Sequence, residues 1–239
     1  MRFLLLMMVC FSLHAEPIDF FVSASPGGPM DTVTRKVVEK IEKQSNLQFV
    51  IFNKPGAAHT IAYTNVLNSN RPTLIVATSE IEYHEVLNNV TELFNLGYFS
   101  NTLFVSEKSG IKNLKQLIDI SKKREINFGH GGVGSYSYLA MESICKKTLR
   151  CLDVPYKSGS DGMMGLLTGT IDAYALTSYG IKQFLDNDKY VALNNIRLSK
   201  EKSWLKLFGK NLSDKDKETI VKVLSSQEQK FYTELGFEK

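Results

Sequence analysis

Cysteine, histidine, tryptophan and net charge are all scarce in this 239-residue chain: three cysteines, four histidines, one tryptophan and a formal net charge of only +4. No second Cys or His pair accompanies Cys145 and Cys151, which excludes the spaced ligand pairs of a zinc site and a disulfide-framework scaffold. The lysines and arginines are mixed with acids. No basic stripe with interleaved aromatics marks a nucleic-acid face. Beyond the N-terminus, no run approaches the roughly twenty apolar residues that a membrane-spanning helix needs. Low-complexity linkers and repeats of simple period are absent. Catalytic signatures are missing too: there is no G-x-S-x-G elbow, no H-E-x-x-H and no cysteine beside a placed base. No catalytic residue, metal or cofactor is expected.

What is present begins at the N-terminus. Met1-Arg2 carries positive charge, residues 3–13 are almost wholly apolar, and His14-Ala15 precede Glu16-Pro17. This is the pattern of a secretory signal peptide cut near Ala15, and residues 1–15 are therefore left out of the fold. Cys10 is a poor lipid-attachment site, because Met8 and Val9 are bulkier than that processing prefers. An exported chain meets an oxidising compartment. Cys145 and Cys151 fall at a predicted helix end and the start of the next strand, so a local bridge is geometrically feasible, with a chain-entropy contribution of about 2.4 kcal/mol. The alternative is two unpaired small hydrophobes. With 43% hydrophobic and 10% aromatic residues, the remainder can build a real core.

Periodicity places strands at 18–23, 47–52 and 73–78. Between them lie the Gly/Pro loops "ASPGGPMD" and "NKPGAAHT" and two helices, the first capped at Asp31-Thr32 with Val33, Val37, Val38 and Ile41 on one face. The alternation restarts with strands at 102–105, 126–128, 153–156, 170–176 and 190–196, and helices at 114–123, 135–147 and around Met163 to Leu167 and Ile181 to Leu185. Ser213-Asp214-Lys215-Asp216 opens a last helix. Strand, loop and helix in repetition imply two α/β units in series with parallel pairing.

Three loops share one design, in which a strand ends, glycines turn the chain and a helix begins: Pro26-Gly27-Gly28, Pro55-Gly56-Ala57-Ala58 and Gly129 to Ser135. Helix N-termini present unpaired N–H groups and partial positive charge, and glycine admits a ligand close to the backbone. One such loop serves plain turns as well. Three, divided between two units, suit one anion held between them. The third loop is a literal G-x-G-x-x-G, with Asp153 about where a dinucleotide site wants a carboxylate. Its place in the second unit of an exported chain, and the shortness of the match, argue against a nicotinamide site.

These motifs resemble the periplasmic substrate-binding proteins of tripartite tricarboxylate transporters, the Bug or TctC family. Pro26-Gly27-Gly28-Pro29-Met30-Asp31, Asn53-Lys54-Pro55-Gly56-Ala57-Ala58-His59 and Thr73-Leu74-Ile75-Val76 follow its pattern. So do the turn from Gly129 to Ser135, Val154-Pro155-Tyr156-Lys157-Ser158, and Leu166-Leu167-Thr168-Gly169-Thr170-Ile171-Asp172; the last two are specific in register. The resemblance covers about residues 17–239. It departs from the family at Ala58 and His59, where glycines are usual, at Tyr138, where histidine is frequent, and in an abbreviated stretch between Ile196 and Trp204.

The resemblance implies an α/β, two-lobed type II periplasmic binding protein (a Venus flytrap) with two parallel or mixed sheets and flanking helices. Lobe one would be 17–103 plus 204–239, and lobe two 104–203. It implies a monomer in the periplasm of a Gram-negative bacterium that captures a small carboxylate for the permease subunits of a tripartite transporter, or for a sensor protein. The implied cleft residues are Gly27, Gly28, Met30 and Asp31 in the first loop and Gly56, Ala57, Ala58, His59 and Thr60 in the second. Ser79 and Ser178 join them, with His130, Gly131, Gly132, Gly134, Ser135 and Tyr136 in the third loop. His59 and His130 would face the ligand from opposite lobes; zinc would need more ligands than these two and Asp31. The rival readings are an orphan binding protein reporting to a sensor kinase, and a periplasmic hydrolase.

Overall fold

The computed structural model describes residues 16–78, 88–179, 181–196 and 203–238. The signal-like segment 1–15, Ser79 and His84 lie outside these residues, as does most of the abbreviated stretch before Trp204. The first five-stranded sheet contains β1 (Ile18–Val22), β2 (Phe49–Asn53), β3 (Thr73–Thr78), β4 (Thr91–Phe99) and β10 (Ser203–Lys210), in the order β2-β1-β3-β10-β4. The second contains β5 (Asn101–Ser106), β6 (Ile126–His130), β7 (Cys151–Pro155), β8 (Ala173–Thr177) and β9 (Tyr190–Ile196), in the order β7-β6-β8-β5-β9. The helices are α1 (Pro29–Gln44), α2 (Thr60–Asn68), α3 (Leu114–Ser121), α4 (Tyr136–Cys145), α5 (Gly159–Thr168), α6 (Lys182–Leu185), α7 (Asp214–Ser225) and α8 (Gln229–Glu234).

Both sheets are mixed. β1 runs parallel to β2 and β3, whereas β10 is antiparallel to β3 and β4. Likewise β6 is parallel to β7 and β8, and β5 is antiparallel to β8 and β9. The strands β1 and β3 are buried along their whole length, as expected of unbroken apolar runs covered on both faces. α1 buries Val33, Val37, Val38 and Ile41 on the sheet side, the spacing of one helical face. Each sheet carries apolar clusters on both of its faces. Among the described residues no helix is long and apolar enough to cross a membrane.

Several expectations need adjustment. α1 starts at Pro29, whose fixed φ suits the first helical position, so Asp31 stands inside the first turn and caps nothing. β6 runs through His130, which places two residues of the third loop in the sheet. β4 and β10 have no counterpart in the sequence reading. The link between sheets is short: Phe99 ends β4, Ser100 alone intervenes, and Asn101 begins β5. The expected division after Leu103 therefore falls inside a strand. Ser178 ties this crossing down. Its N–H donates to Ser100 O (2.7 Å), while its hydroxyl accepts from Ser100 N–H (3.2 Å) and donates to Gly236 O (2.9 Å). Gly236 has φ +91°, and a Cβ there would lie 2.0 Å from the Ser178 carbonyl, so only glycine fits. Cys145 at the end of α4 is disulfide-bonded to Cys151 at the start of β7, with Cα atoms 5.8 Å apart.

Candidate binding cleft

A cavity of about 90 Å³ lies between the two sheets. At roughly 10–15 Å³ per water-sized unit it has room for about six to nine such units, the size of a small organic acid. Three helices begin at its wall. Pro29 and Met30 open α1 from the first sheet's side. Tyr136 and Ser137 open α4, and Gly159 opens α5, from the second sheet's side. Ser135 and Ser158 cap the latter two, accepting from the N–H groups of Tyr138 and Asp161. α1 has no side-chain cap. Its first turn therefore keeps backbone donors available at the positive end of a sixteen-residue helix. No Asp or Glu stands among the described lining residues, and Lys157 stands among them with no ion pair to any described residue.

The first loop is braced from behind. Burial raises the Asp31 carboxyl, but hydrogen bonds from Arg35, Asn53 and Gly27 outweigh it and hold the group below its usual value. Those donors sit at 2.8, 2.8 and 2.9 Å. Gly27 (φ +77°) makes the turn. Its carbonyl accepts from Gln183 Nε2 (2.7 Å), across from the second sheet's side. Gly28 has an ordinary φ of −74°, and a Cβ there would lie 3.0 Å from Ser160 Oγ of α5. Met30 lines the cavity; Gly27, Gly28 and Asp31 do not.

In the second loop Gly56 and His59 line the wall, while Ala57 and Thr60 stand off it. Ala57 (φ +46°) and His59 (φ +78°) are non-glycine residues held in the left-handed region. His59 Nδ1 lies 2.8 Å from Ser23 Oγ and 3.3 Å from Ser23 O. Burial pushes its imidazole below the ordinary value, against the opposing effect of the Ser23 hydrogen bond.

The third loop contributes Gly131, Ser135 and Tyr136 to the wall. Two of its glycine amides are already engaged: Gly131 N–H donates to Ser137 Oγ (2.8 Å) and Gly132 N–H to His130 Nδ1 (3.0 Å). Gly132 and Gly134 turn the chain with φ of +100° and +84°, away from the wall. His130 does not face the cleft. It is buried with Nε2 3.4 Å from Asp153 Oδ2, outside hydrogen-bond geometry, and its ring meets Tyr138 edge-on. Asp153, the would-be ribose carboxylate, thus confronts a histidine. Ser178 belongs to the crossing between sheets.

The sequence reading missed Ser23, Ser137, Lys157, Ser158, Gly159 and the Tyr174–Thr177 stretch of the wall, together with Tyr179. "KSGS" has the same strand, turn and helix order as the other loops, which was the available signal. Tyr174 is pushed up to about 12, chiefly by burial, and so stays neutral.

The family model described as "Tripartite tricarboxylate transporter family receptor" matches residues 33–203. A UPF0065 protein of Bordetella pertussis is 24% identical over 79% of this chain and 64% of its own length. A UPF0065 protein of Bordetella bronchiseptica is 27% identical over 66% and 51%. The chain thus spans about half to two thirds of these relatives. The structure of the periplasmic binding protein BugD is similar with a TM-score of 0.78 and 19% identity, covering 91% of this chain and 85% of that one. MatC from Rhodopseudomonas palustris with bound malate gives 0.76 and 19%, covering 92% and 88%. An R. palustris protein with adipate gives 0.79 and 16%, covering 92% and 87%. At these identities the structural likeness shows the fold alone: the two-lobed architecture of those binding proteins, with two mixed sheets.

Proposed function

The chain belongs to the family of tripartite tricarboxylate transporter receptors, and from that premise we propose that it is an extracytoplasmic solute-binding protein that closes on a small carboxylate. Its two lobes follow the two sheets: residues up to Ser100 together with 203–239, and the stretch between. One observation carries the reading. The cavity between the sheets is ringed by helix N-termini from both sides and by Lys157, with no carboxylate on its described wall. Such a wall favours an anion. The malate and adipate bound by structural neighbours fit the same chemistry.

The protein acts in the periplasm, residues 1–15 being its export signal, and it delivers its ligand to membrane permease subunits. Delivery to a sensor kinase is the alternative, and the genes beside its own distinguish the two. It is a receptor and turns nothing over.

A thermal-shift screen of the purified protein against acetate, malate, succinate, adipate, glutamate, citrate and benzoate tests the proposal. A ligand at about a hundredfold excess over Kd adds about 2.7 kcal/mol, which raises the Tm of a chain this size by roughly 5–10 °C. No shift with any acid, or turnover of a generic ester, overturns it.

A further inference from the structure

We infer that His59 makes ligand capture proton-linked: its imidazole takes up one proton as a carboxylate docks on its free ring nitrogen. The inference rests on the solute-binding reading and names a residue that sets its specificity and pH range.

Three features of His59 lead there. First, it lines the cavity in a backbone conformation that favours glycine, at φ +78°, two residues after Ala57 at +46°. Non-glycine residues held in this region are uncommon and gather at functional sites. Second, the hydrogen bonds of Nδ1 decide the tautomer. The Ser23 carbonyl, 3.3 Å from Nδ1, can only accept, and the Ser23 hydroxyl at 2.8 Å can accept as well. Nδ1 therefore carries the hydrogen and donates towards Ser23. Third, Nε2 has no partner among the described residues. In the neutral ring it is a lone pair and repels a carboxylate. Protonated, it becomes an N–H donor and forms a charge-assisted hydrogen bond. Atoms balance simply: the proton comes from solvent, binds Nε2, and is shared with the carboxylate oxygen.

Among the described residues the surroundings leave no other titrating group for this role. On the β1 and α1 side stand Ser23, Met30 and Asp31, whose carboxylate is engaged by Gly27, Arg35 and Asn53. α2 contributes Tyr63, its phenol raised far above the ordinary value by burial. Across the cavity stand Lys157 and the phenols of Tyr136, Tyr174 and Tyr179. Burial disfavours an imidazolium in the empty cleft. A carboxylate at the ring reverses that balance.

The test is Kd by calorimetry for each acid that the panel identifies, from about pH 6 to about pH 8, the range around an ordinary imidazole. Repeating it in buffers of different ionisation heat counts protons. We expect Kd to rise about tenfold across this range, with net uptake of up to one proton. His59→Gln, which offers an amide donor without titrating, should flatten the profile. His59→Asn tolerates the left-handed backbone and is too short to replace Nε2; it should flatten the profile and also weaken binding at low pH. Binding with a pH-independent Kd and no proton uptake by wild type overturns the inference and leaves the solute-binding reading standing. A panel that binds at no pH overturns both.

Discussion

Asp31 has a side chain only 2% exposed, yet its carboxylate accepts from Gly27 N–H, Asn53 and Arg35. Those bonds favour the charged form, so its folded pKa lies below the ordinary value despite burial. A depressed carboxylate contributes stability that is fully present above the unfolded pKa of about 3.9 and is lost as pH falls through the lower folded value. Asp31→Asn should therefore destabilise the protein at neutral pH by about 1–3 kcal/mol, since a charged acceptor of three donors is removed. Urea titrations should also show its stability falling less steeply than wild type below about pH 4. Equal steepness would remove Asp31 from the acid response. Gly28 is a separate case. Its φ tolerates any side chain, but a Cβ meets Ser160 Oγ of α5 at 3.0 Å. Gly28→Val should leave the fold intact and weaken panel-acid binding at least tenfold by holding the proposed lobes apart; a tenfold loss is about 1.4 kcal/mol. Unchanged Kd sinks that role. Motifs made Met30, Gly56, His59, Gly131, Ser135 and Tyr136 legible as wall residues, because glycine turns and helix caps carry a physical signature in sequence. Ser23 and Thr177 were not, because only the placement of one sheet against the other brings them to the same space.

Among the elements, β3 and β9 were read with their bounds intact, and α7 with its Ser213 cap, because an apolar run or a capping box is a local signal. β4 and β10 were missed for a physical reason. β4 carries Thr91, Glu92, Asn95 and Gly97 at the sheet's edge, and β10 interrupts its apolar positions with Lys206 and Lys210. β10 pairs with β3 on one side and with β4 on the other, over sequence separations that no window reveals. The tail beyond α8 is likewise a tertiary feature. Phe237 is buried, stacks on Tyr179 of the cavity wall at 5.7 Å, and packs where Gly97 leaves room. Phe237→Ala should cost about 3–5 kcal/mol of stability. Thermal unfolding measures it, and a loss below about 1 kcal/mol would show the tail to be dispensable. The disulfide between α4 and β7 closes a short loop away from the wall. Replacing both cysteines by serine should cost about 2.4 kcal/mol at most and leave panel-acid Kd unchanged.

On the scale of the whole molecule, two mixed sheets are joined by a single residue at Ser100 and by the return between Ile196 and Ser203. The first loop already meets the opposite unit closely. Gln183 Nε2 donates to Gly27 O at 2.7 Å, and Cβ atoms added at Gly28 and Gly159 would lie 3.0 Å from Ser160 Oγ and 3.6 Å from Pro29 Cδ. These contacts bring the N-termini of α1 and α5 together, two partial positive charges facing one cavity. Such an approach costs energy when the cavity holds only water and is offset when an anion lies between, so the arrangement couples closure to the sign of the ligand's charge. Gln183 makes the coupling measurable. Its hydrogen bond exists only with the units together, and an exposed neutral bond contributes about 0.5–1.5 kcal/mol. Gln183→Ala shifts the balance towards the open form by that amount. A ligand that requires the closed form then binds about two- to tenfold more weakly, because affinity falls with the fraction of competent protein. Without ligand its Tm should fall by a few degrees at most, the share of that one bond, since the bond lies outside both cores. Small-angle scattering should show it more expanded than wild type without ligand, and equally compact once a panel acid saturates the site. A variant with wild-type Kd and an unchanged scattering profile would show that closure does not depend on this contact.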